Sequence, residues 1–140
     1  MYCIYTFICA QKRQIKGVIL SQKYNTLSKE QEYVLLHKGT EPPFSGEYTD
    51  VFEEGEYVCA QCNALLYHSS AKFHSGCGWA SFESSEKGAV SESLDSDLHR
   101  IEITCTNCGG HLGHIFRGEG FTAKNTRHCV NSLSLIFHKR

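Results

Sequence analysis

The sequence has no excess of charge of either sign. Its 14 Lys and Arg residues nearly balance 15 Asp and Glu residues, giving a formal net charge of −1 at pH 7. The basic residues are scattered along the chain. A nucleic-acid-binding domain normally carries them as a patch or stripe, and a surface that binds membranes also concentrates them. We therefore expect neither nucleic acid nor a membrane as a partner.

Long hydrophobic runs are also missing. Residues 1–10 are apolar, but ten residues are too few to span a bilayer, and they lack the charged front of a secretory signal. The eight cysteines could suggest a secreted disulfide scaffold, yet their density is below that of disulfide-stapled miniproteins. We therefore expect a monomer in a reducing compartment, the cytoplasm, although the N-terminal segment leaves targeting open.

The composition is that of an ordinary globular protein. Hydrophobic residues make up 41% and charged residues 21% of the 140 positions, which is enough for one modest core. Residues 1–25 show no usable hydrophobic period. The predicted organisation is an N-terminal extension over residues 1–25, which need not be ordered, and one domain over residues 26–140.

Two Cys-x-x-Cys knuckles dominate the domain. The first is formed by Cys59 and Cys62, and the second by Cys105 and Cys108. Two intervening residues let one tight turn aim both sulfurs at a single ion, and four thiolates complete a tetrahedral structural zinc site. The alternative is a set of reduced or disulfide-bonded core cysteines. Two knuckles around one folded interval favour zinc over that alternative.

The remaining pattern predicts mainly β structure. A capping-box sequence at Ser28 to Gln31, followed by apolar residues and Gly39, predicts one short helix over residues 29–38. Short runs that suit strands are residues 56–59, 64–68, 100–105, 111–116, 127–130 and 133–137. The predicted fold is two small antiparallel sheets clipped by the zinc site, with a short N-terminal helix outside.

Two of the remaining cysteines are candidates for thiol chemistry. Cys129 shares one strand face with Arg127, whose charge would favour a nucleophilic thiolate, whereas His128 points to the other face. A buried structural cysteine is the alternative for Cys129. Cys77 lies between two glycines, on a loop that suits disulfide exchange, or it simply fills a turn.

Two histidines and a tryptophan complete the set. His111 and His114 would lie on opposite faces of a regular strand, so both can reach one site only if Gly113 bends or bulges the chain. Either could protonate an oxygen that leaves sulfur. Trp79 is either a core residue or the wall of an apolar pocket.

Taken together, these residues resemble the B-type methionine sulfoxide reductases over residues 27–137. The motifs that carry the resemblance are Lys38-Gly-Thr-Glu41, Pro43-Phe-Ser-Gly-Glu-Tyr48, Tyr57-Val-Cys59, Lys72-Phe-His-Ser-Gly-Cys-Gly-Trp79 with Ser81-Phe82, Cys105 with Cys108, His111-Leu-Gly-His-Ile-Phe116, and Arg127-His-Cys-Val-Asn-Ser132.

The resemblance implies a set of roles. Cys129 would be the nucleophile, Cys77 the resolving cysteine, and Trp79 the residue that packs on the substrate's S-methyl group. The polar lining would be His111, His114, Arg127 and Asn131. The implied activity is that of a peptide-methionine (R)-S-oxide reductase, which repairs oxidised proteins through a sulfenic acid and a disulfide that a thioredoxin-like reductant recycles.

The chain departs from the family pattern at three places. Ala80 stands where the family usually has proline, and His128 where it usually has an aromatic residue. The turn over residues 117–120 replaces a turn that carries an aspartate, so the supporting carboxylate is either displaced to Glu119 or lost.

Two other classes remain as alternatives. A non-catalytic zinc module that binds a protein or small ligand could use the same scaffold, because fold does not fix function. A zinc ribbon that binds nucleic acid is disfavoured by the near-neutral charge.

Overall fold

The computed structural model describes residues 23–140. The predicted N-terminal extension therefore lies almost entirely outside the described residues, as do Cys3 and Cys9. In chain order the elements are α1 (Lys29–Leu35), β1 (Gly55–Cys59), β2 (Leu65–His68), β3 (Lys72–Phe73), β4 (Ala80–Phe82), β5 (Val90–Leu94), β6 (Ile101–Cys105), β7 (His111–Arg117), β8 (Thr126–Val130) and β9 (Leu135–Lys139), with 3-10 helices at Ser69–Ala71 and Ser132–Ser134.

The helix α1 begins as the sequence predicts. The Ser28 side chain accepts a hydrogen bond from the Gln31 backbone N–H at 3.1 Å, and the Gln31 side chain accepts one from the Ser28 N–H at 2.9 Å. Each bond satisfies a backbone donor that the first helical turn would otherwise leave without a partner.

The end of the helix differs from the prediction. The helix stops at Leu35, three residues before the predicted end at position 38. Lys38, not Gly39, adopts the left-handed conformation, with φ of 57°. Gly39 is required for space, because a Cβ there would overlap the ring of Tyr33. The tight turn therefore forms one residue earlier than a C-cap glycine at position 39 would place it.

All strands pair antiparallel in two sheets, which confirms the predicted fold class. The smaller sheet has the order β2-β1-β9, and the larger one has the order β3-β4-β8-β7-β6-β5. The last strand, β9, pairs with β1 and forms one edge of the smaller sheet. No helix within the described part of the chain is long and apolar enough to cross a membrane.

Aromatic side chains join the two sheets. Tyr67 of the smaller sheet stacks on Phe82 of the larger one, with ring centroids 4.2 Å apart. Tyr57 packs edge-on against the same ring at 5.1 Å. All three side chains are fully buried. Each such aromatic pair contributes about 0.5–1.5 kcal/mol beyond the burial of its area, so this cluster fixes how the sheets face each other.

The loop before β1 packs against the domain. The Tyr48 N–H donates to the Ser132 hydroxyl at 3.1 Å, and the Tyr48 hydroxyl accepts from the Phe137 N–H at 3.2 Å. These bonds hold the loop against the chain between β8 and β9. The loop before β1 also carries Thr40, which lines the pocket described below.

Candidate functional site

The four knuckle cysteines converge on one point. Their Sγ atoms all lie within 4.8 Å of one another. The Sγ atoms of Cys59 and Cys108 are 3.6 Å apart, as are those of Cys62 and Cys105. Tetrahedral coordination with a metal–sulfur distance of about 2.3 Å separates the sulfurs by about 3.8 Å. The four-cysteine cluster therefore fits one tetrahedral metal ion.

Both knuckles use the same local geometry. The N–H of Asn63 donates to the Cys59 carbonyl at 2.9 Å, and the N–H of Gly109 donates to the Cys105 carbonyl at 2.7 Å. Asn63 and Gly109 are left-handed, with φ of 63° and 78°. Asn and Gly adopt this conformation most readily, which explains their place after each knuckle. Since Cys59 ends a strand of the smaller sheet and Cys105 one of the larger, an ion here joins the two sheets.

A second group of sulfurs lies apart from the cluster. Cys129 belongs to β8, and Cys77 to the loop between β3 and β4. Both are free, partly exposed thiols that line the pocket described below. The neighbouring Cys129 thiol lowers the pKa of Cys77 to about 4. Cys77, together with burial, raises the pKa of Cys129. These opposite shifts favour Cys77 over Cys129 as the thiolate of the pair.

Arg127 lies on the Cys129 side of β8, as predicted. Its guanidinium donates to Glu119 at 2.8 and 3.2 Å and lies 4.5 Å from the centre of the Phe116 ring. Glu119 is therefore the carboxylate that supports this arginine. The Arg127 charge favours a thiolate at Cys129, but it does not outweigh the effects of Cys77 and burial, so the pKa of Cys129 stays raised.

His128 points to the opposite face of β8, again as predicted. It is buried, and its Nδ1 accepts a hydrogen bond from the Tyr67 hydroxyl at 2.9 Å. Burial lowers the pKa of His128 to about 4, so the ring is neutral at pH 7. The departure from the family pattern at this position therefore lies in the core and not in the pocket.

A β-bulge brings the two predicted histidines together. The pairing of β6 with β7 shifts register between Ile103 and Thr104, which leaves Leu112 as the extra residue. The rings of His111 and His114 are consequently only 5.6 Å apart. Gly113 lets β7 pack closely against β8 at this point, because a Cβ there would overlap the carbonyl oxygen of Cys129 on β8.

Each histidine has a carboxylate partner that sequence patterns did not indicate. The Nδ1 of His111 bonds Glu102 at 2.6 Å, and the Nε2 of His114 bonds Asp95. Burial lowers the pKa of His111 despite Glu102, so its ring is neutral, and its buried Nε2 has no partner among the described residues. The hydrogen bond from His114 holds the pKa of Asp95 below its ordinary value.

These elements enclose a pocket of about 140 Å³. Its lining comprises Thr40, Cys77, Trp79, Arg100, Gly113, His114, Phe116, Arg127, Cys129 and Asn131. Of the residues predicted for catalysis and substrate binding, only His111 is outside this lining, next to His114. Thr40, Arg100 and Phe116 were not predicted as site residues, because none of their side chains is a typical nucleophile or proton donor.

The Glu41 backbone holds two members of the lining. The Trp79 indole N–H donates to the Glu41 carbonyl at 3.0 Å, and the Glu41 N–H donates to the Asn131 side chain at 3.0 Å. Asn131 also donates to the Leu112 carbonyl at 3.0 Å, on the β7 bulge. Trp79 and Asn131 are thus fixed relative to the bulge that carries the histidines.

The fold and site together define a class of protein. It is a small β domain whose two sheets are joined by a four-cysteine cluster that can hold a metal ion, with a separate pocket whose lining contains two free thiols. The chain belongs to the SelR domain family, whose model matches residues 27–139. The resemblance found in the sequence is thereby confirmed.

Relatives with more than half of their aligned residues identical to this chain include several plant proteins. The chain is 56% identical to peptide methionine sulfoxide reductase B2, chloroplastic, of Arabidopsis thaliana, over 79% of its own length and 55% of that protein. It is 57% identical to the chloroplastic B3 protein of Oryza sativa, over 79% of its own length and 49% of the relative. The B5 protein of the same species is 53% identical, with 82% of its length covered. The chain thus spans about half the length of the first two relatives.

The names of these relatives correct one prediction. Two of them are chloroplastic, which contradicts the cytoplasmic location expected from the sequence. The expectation was wrong because it tested only for a secretory signal and a membrane span, and other addresses are read by receptors from different features.

Proposed function

We propose that this protein reduces methionine-R-sulfoxide in oxidised proteins to methionine. The observation that carries the proposal is that the free thiols of Cys129 and Cys77 line one pocket together with Trp79. The names of the relatives support the same reaction. A pocket that served only to bind a ligand would not need two free thiols in its lining.

The first step consumes the Cys129 thiol. The apolar face of Trp79 would pack against the S-methyl group, and the Cys129 sulfur attacks the sulfoxide sulfur. The sulfoxide oxygen is transferred to Cys129, so that methionine leaves and a sulfenic acid remains. Sulfur in the substrate is reduced by two electrons, and the Cys129 sulfur is oxidised by two.

Proton transfer to the departing oxygen falls to the histidine pair. His114 lines the pocket, and its Nε2 is hydrogen-bonded to the Asp95 carboxylate. The neutral His111 has its Nδ1 proton engaged by Glu102, so its Nε2 can accept a hydrogen from a water molecule. His114, or a water held by His111, would therefore supply the proton.

The second and third steps restore the thiols. The Cys77 thiolate attacks the sulfenic sulfur of Cys129, which forms a disulfide and, with one proton, releases water. A protein dithiol of the thioredoxin type would then reduce this disulfide by thiol–disulfide exchange and become a disulfide itself.

The four-cysteine cluster would hold a structural zinc ion. Four thiolates at tetrahedral spacing are typical of zinc sites that leave no coordination position open. Such an ion contributes to folding and takes no part in the transfer of oxygen. We further propose that the protein acts as a monomer, which sedimentation of the reduced, zinc-loaded protein would test.

The test is an assay with separated R and S epimers of a methionine sulfoxide peptide. With dithiothreitol as reductant, the parent should convert only the R epimer, and Cys129→Ser should convert neither. Cys77→Ser should give one methionine per protein but lose cycling with thioredoxin. Undiminished turnover by Cys129→Ser would exclude Cys129 as the nucleophile, and parent-like cycling by Cys77→Ser would exclude Cys77 as the resolving thiol.

We propose the plastid as the location, since two relatives carry that name. One feature of the composition supports it: residues 1–25 contain no acidic residue, and transit peptides are poor in acidic residues. Detection of the endogenous protein in purified plastids would test this location, and its absence from them would contradict it.

A further inference from the structure

The loop that carries Cys77 places two serine hydroxyls beside its sulfur. Ser81 is buried, only 1% exposed, and its Oγ lies 3.5 Å from the Cys77 Sγ. The Ser75 Oγ lies 2.7 Å from the Ser81 Oγ. Ser81 is also the direct cross-strand partner of Cys129 in the pairing of β4 with β8. The Ser81 hydroxyl therefore lies beside the Cys77 sulfur, and Ser81 lies directly across the strand pair from Cys129.

When Cys77 is a thiolate, one arrangement of the hydrogens satisfies the polar groups around it. The Ser75 Oγ accepts from the Cys77 N–H at 3.3 Å and donates to the Ser81 Oγ. The Ser81 hydrogen then has two acceptors, the Cys77 sulfur and the Trp79 carbonyl 3.4 Å away. A protonated Cys77 would instead donate to that carbonyl itself, at 3.6 Å. A thiolate is the stronger acceptor of the two, and a disulfide sulfur is the weaker.

The proposed reaction changes which donors the Cys77 sulfur has. At rest the Cys129 thiol lies in the same pocket and lowers the pKa of Cys77. Its S–H bond no longer exists once Cys129 has become a sulfenic acid. The two arginines that line the pocket, Arg127 and Arg100, are each already engaged by a carboxylate. The serine pair keeps its position throughout, because it belongs to the loop and to β4.

We infer that Ser81, oriented by Ser75, is a positioning residue that keeps Cys77 as a thiolate while Cys129 is a sulfenic acid. This inference rests on the proposed function and concerns its second step. Cys77 then attacks the Cys129 sulfur, the S–OH bond breaks, and the hydroxide leaves as water with one proton. Both sulfurs end at the disulfide level, and no further oxidant is needed.

The test is a single turnover without reductant. The parent and Ser81→Ala are mixed with a stoichiometric methionine-R-sulfoxide peptide and quenched over time with dimedone and an alkylating agent. Mass spectrometry then follows methionine, the sulfenic acid and the disulfide between Cys77 and Cys129. The series is repeated from about pH 6 to about pH 9, a range that spans the ordinary thiol pKa.

Without the hydroxyl, the pKa of Cys77 should rise towards that of an ordinary thiol, which is only a few per cent thiolate at pH 7. A more basic thiolate is a better nucleophile, which offsets part of this loss. We expect disulfide formation to slow about tenfold at pH 7 in Ser81→Ala and to recover towards pH 9, whereas the parent rate stays flat across this range. Ser75→Ala, at a partly exposed position, should show a smaller change in the same direction.

Ser91→Ala is the matched control, because its hydroxyl pairs with Thr106 at the same 2.7 Å on the exposed strand β5. It should behave as the parent. A flat profile at the parent rate in Ser81→Ala would overturn the inference. Equal slowing at every pH would also overturn it, since that result indicates a displaced Cys77. If the parent releases no methionine, the proposed function itself fails; methionine release with unchanged disulfide kinetics refutes only the role of Ser81.

Discussion

Replacing His128 by phenylalanine should make the protein less stable at pH 7 and more stable near pH 5. The imidazole is 6% exposed and accepts a hydrogen bond from the fully buried Tyr67 hydroxyl at 2.9 Å. Burial lowers its pKa to about 4, against 6.5 for an ordinary histidine. The folded protein therefore holds this ring neutral at pH values where the unfolded chain protonates it.

The sign and size of the effect follow from this difference. Because the pKa is depressed in the folded state, the unfolded chain binds more protons below about pH 6.5, and stability falls as pH drops from there to about 4. The loss attributable to His128 is negligible at pH 7, about 2 kcal/mol at pH 5 and about 3 kcal/mol at pH 4. Each is a large fraction of the stability of a small domain.

His128→Phe removes this acid sensitivity but adds a loss of stability that does not depend on pH. His128→Phe leaves the buried Tyr67 hydroxyl without an acceptor, which costs about 1–2 kcal/mol at every pH. The stability curves of parent and variant should therefore cross between about pH 5 and about pH 6. The double variant Tyr67→Phe/His128→Phe removes the orphaned hydroxyl as well and should recover part of the cost at pH 7.

Urea unfolding at several pH values, followed by the aromatic circular dichroism signal, measures these differences. Parent and variant share the four-cysteine cluster, so loss of metal in acid affects both and cancels in the comparison. The quantity to follow is the difference in unfolding free energy between them. If that difference stays the same from pH 7 to pH 5, His128 is not the buried neutral base that its surroundings indicate.

Three further predictions concern the supports of the site. Chelation of the metal at neutral pH should lower the melting temperature strongly, because the four-cysteine cluster joins the two sheets; an unchanged melting temperature would contradict that role. Glu102→Ala should lower the free energy of unfolding in urea by about 3 kcal/mol, because it leaves the buried His111 without its hydrogen-bond partner. Lys38→Ala, which removes the other partner of Glu102, should lower it by less than about 1 kcal/mol, because Lys38 is largely exposed. Equal costs would refute this reasoning. Gly113→Ala should push β7 away from Cys129 and cost about 3 kcal/mol or more, and parent-like stability would show that the strands can separate freely.

The sequence predicts the fold well where a pattern is local. The knuckles, the helix start and the strands with one buried face all depend on residues within a few positions of one another. The strands missed are β3, β4 and β5. The first two are two and three residues long, too short for any period, and most of β5 is exposed at the edge of the larger sheet. An edge strand with little burial leaves no alternation to detect.

The site was predictable only in part, for a related reason. Cysteines and histidines can be recognised as candidate site residues from the sequence, because their side chains are reactive or bind metals. Glu102 and Asp95 cannot, because a carboxylate is usually a solvated surface group. Glu102 faces His114 across the strand pair by register and yet bonds His111, since the bulge shifts β7 by one residue. A pairing that depends on the register of distant strands cannot be read from one segment of chain.

The balance between the two sulfurs is the least expected feature of the site. Arg127 was predicted to activate Cys129, yet the pKa of Cys129 is raised, chiefly by Cys77, whereas that of Cys77 is lowered to about 4. Under the proposed function this arrangement has a consequence for the first step. Cys129 can attack only after its proton has moved to Cys77 or to the substrate oxygen, and Arg127 then faces the charge that develops on Cys129. Cys77 must be a thiolate again before it can close the disulfide, which is the step at which the Ser81 hydroxyl matters. Cys129 therefore depends on the charge of Arg127, on β8, in the first step. Cys77 depends on the Ser81 hydroxyl, on β4, in the second.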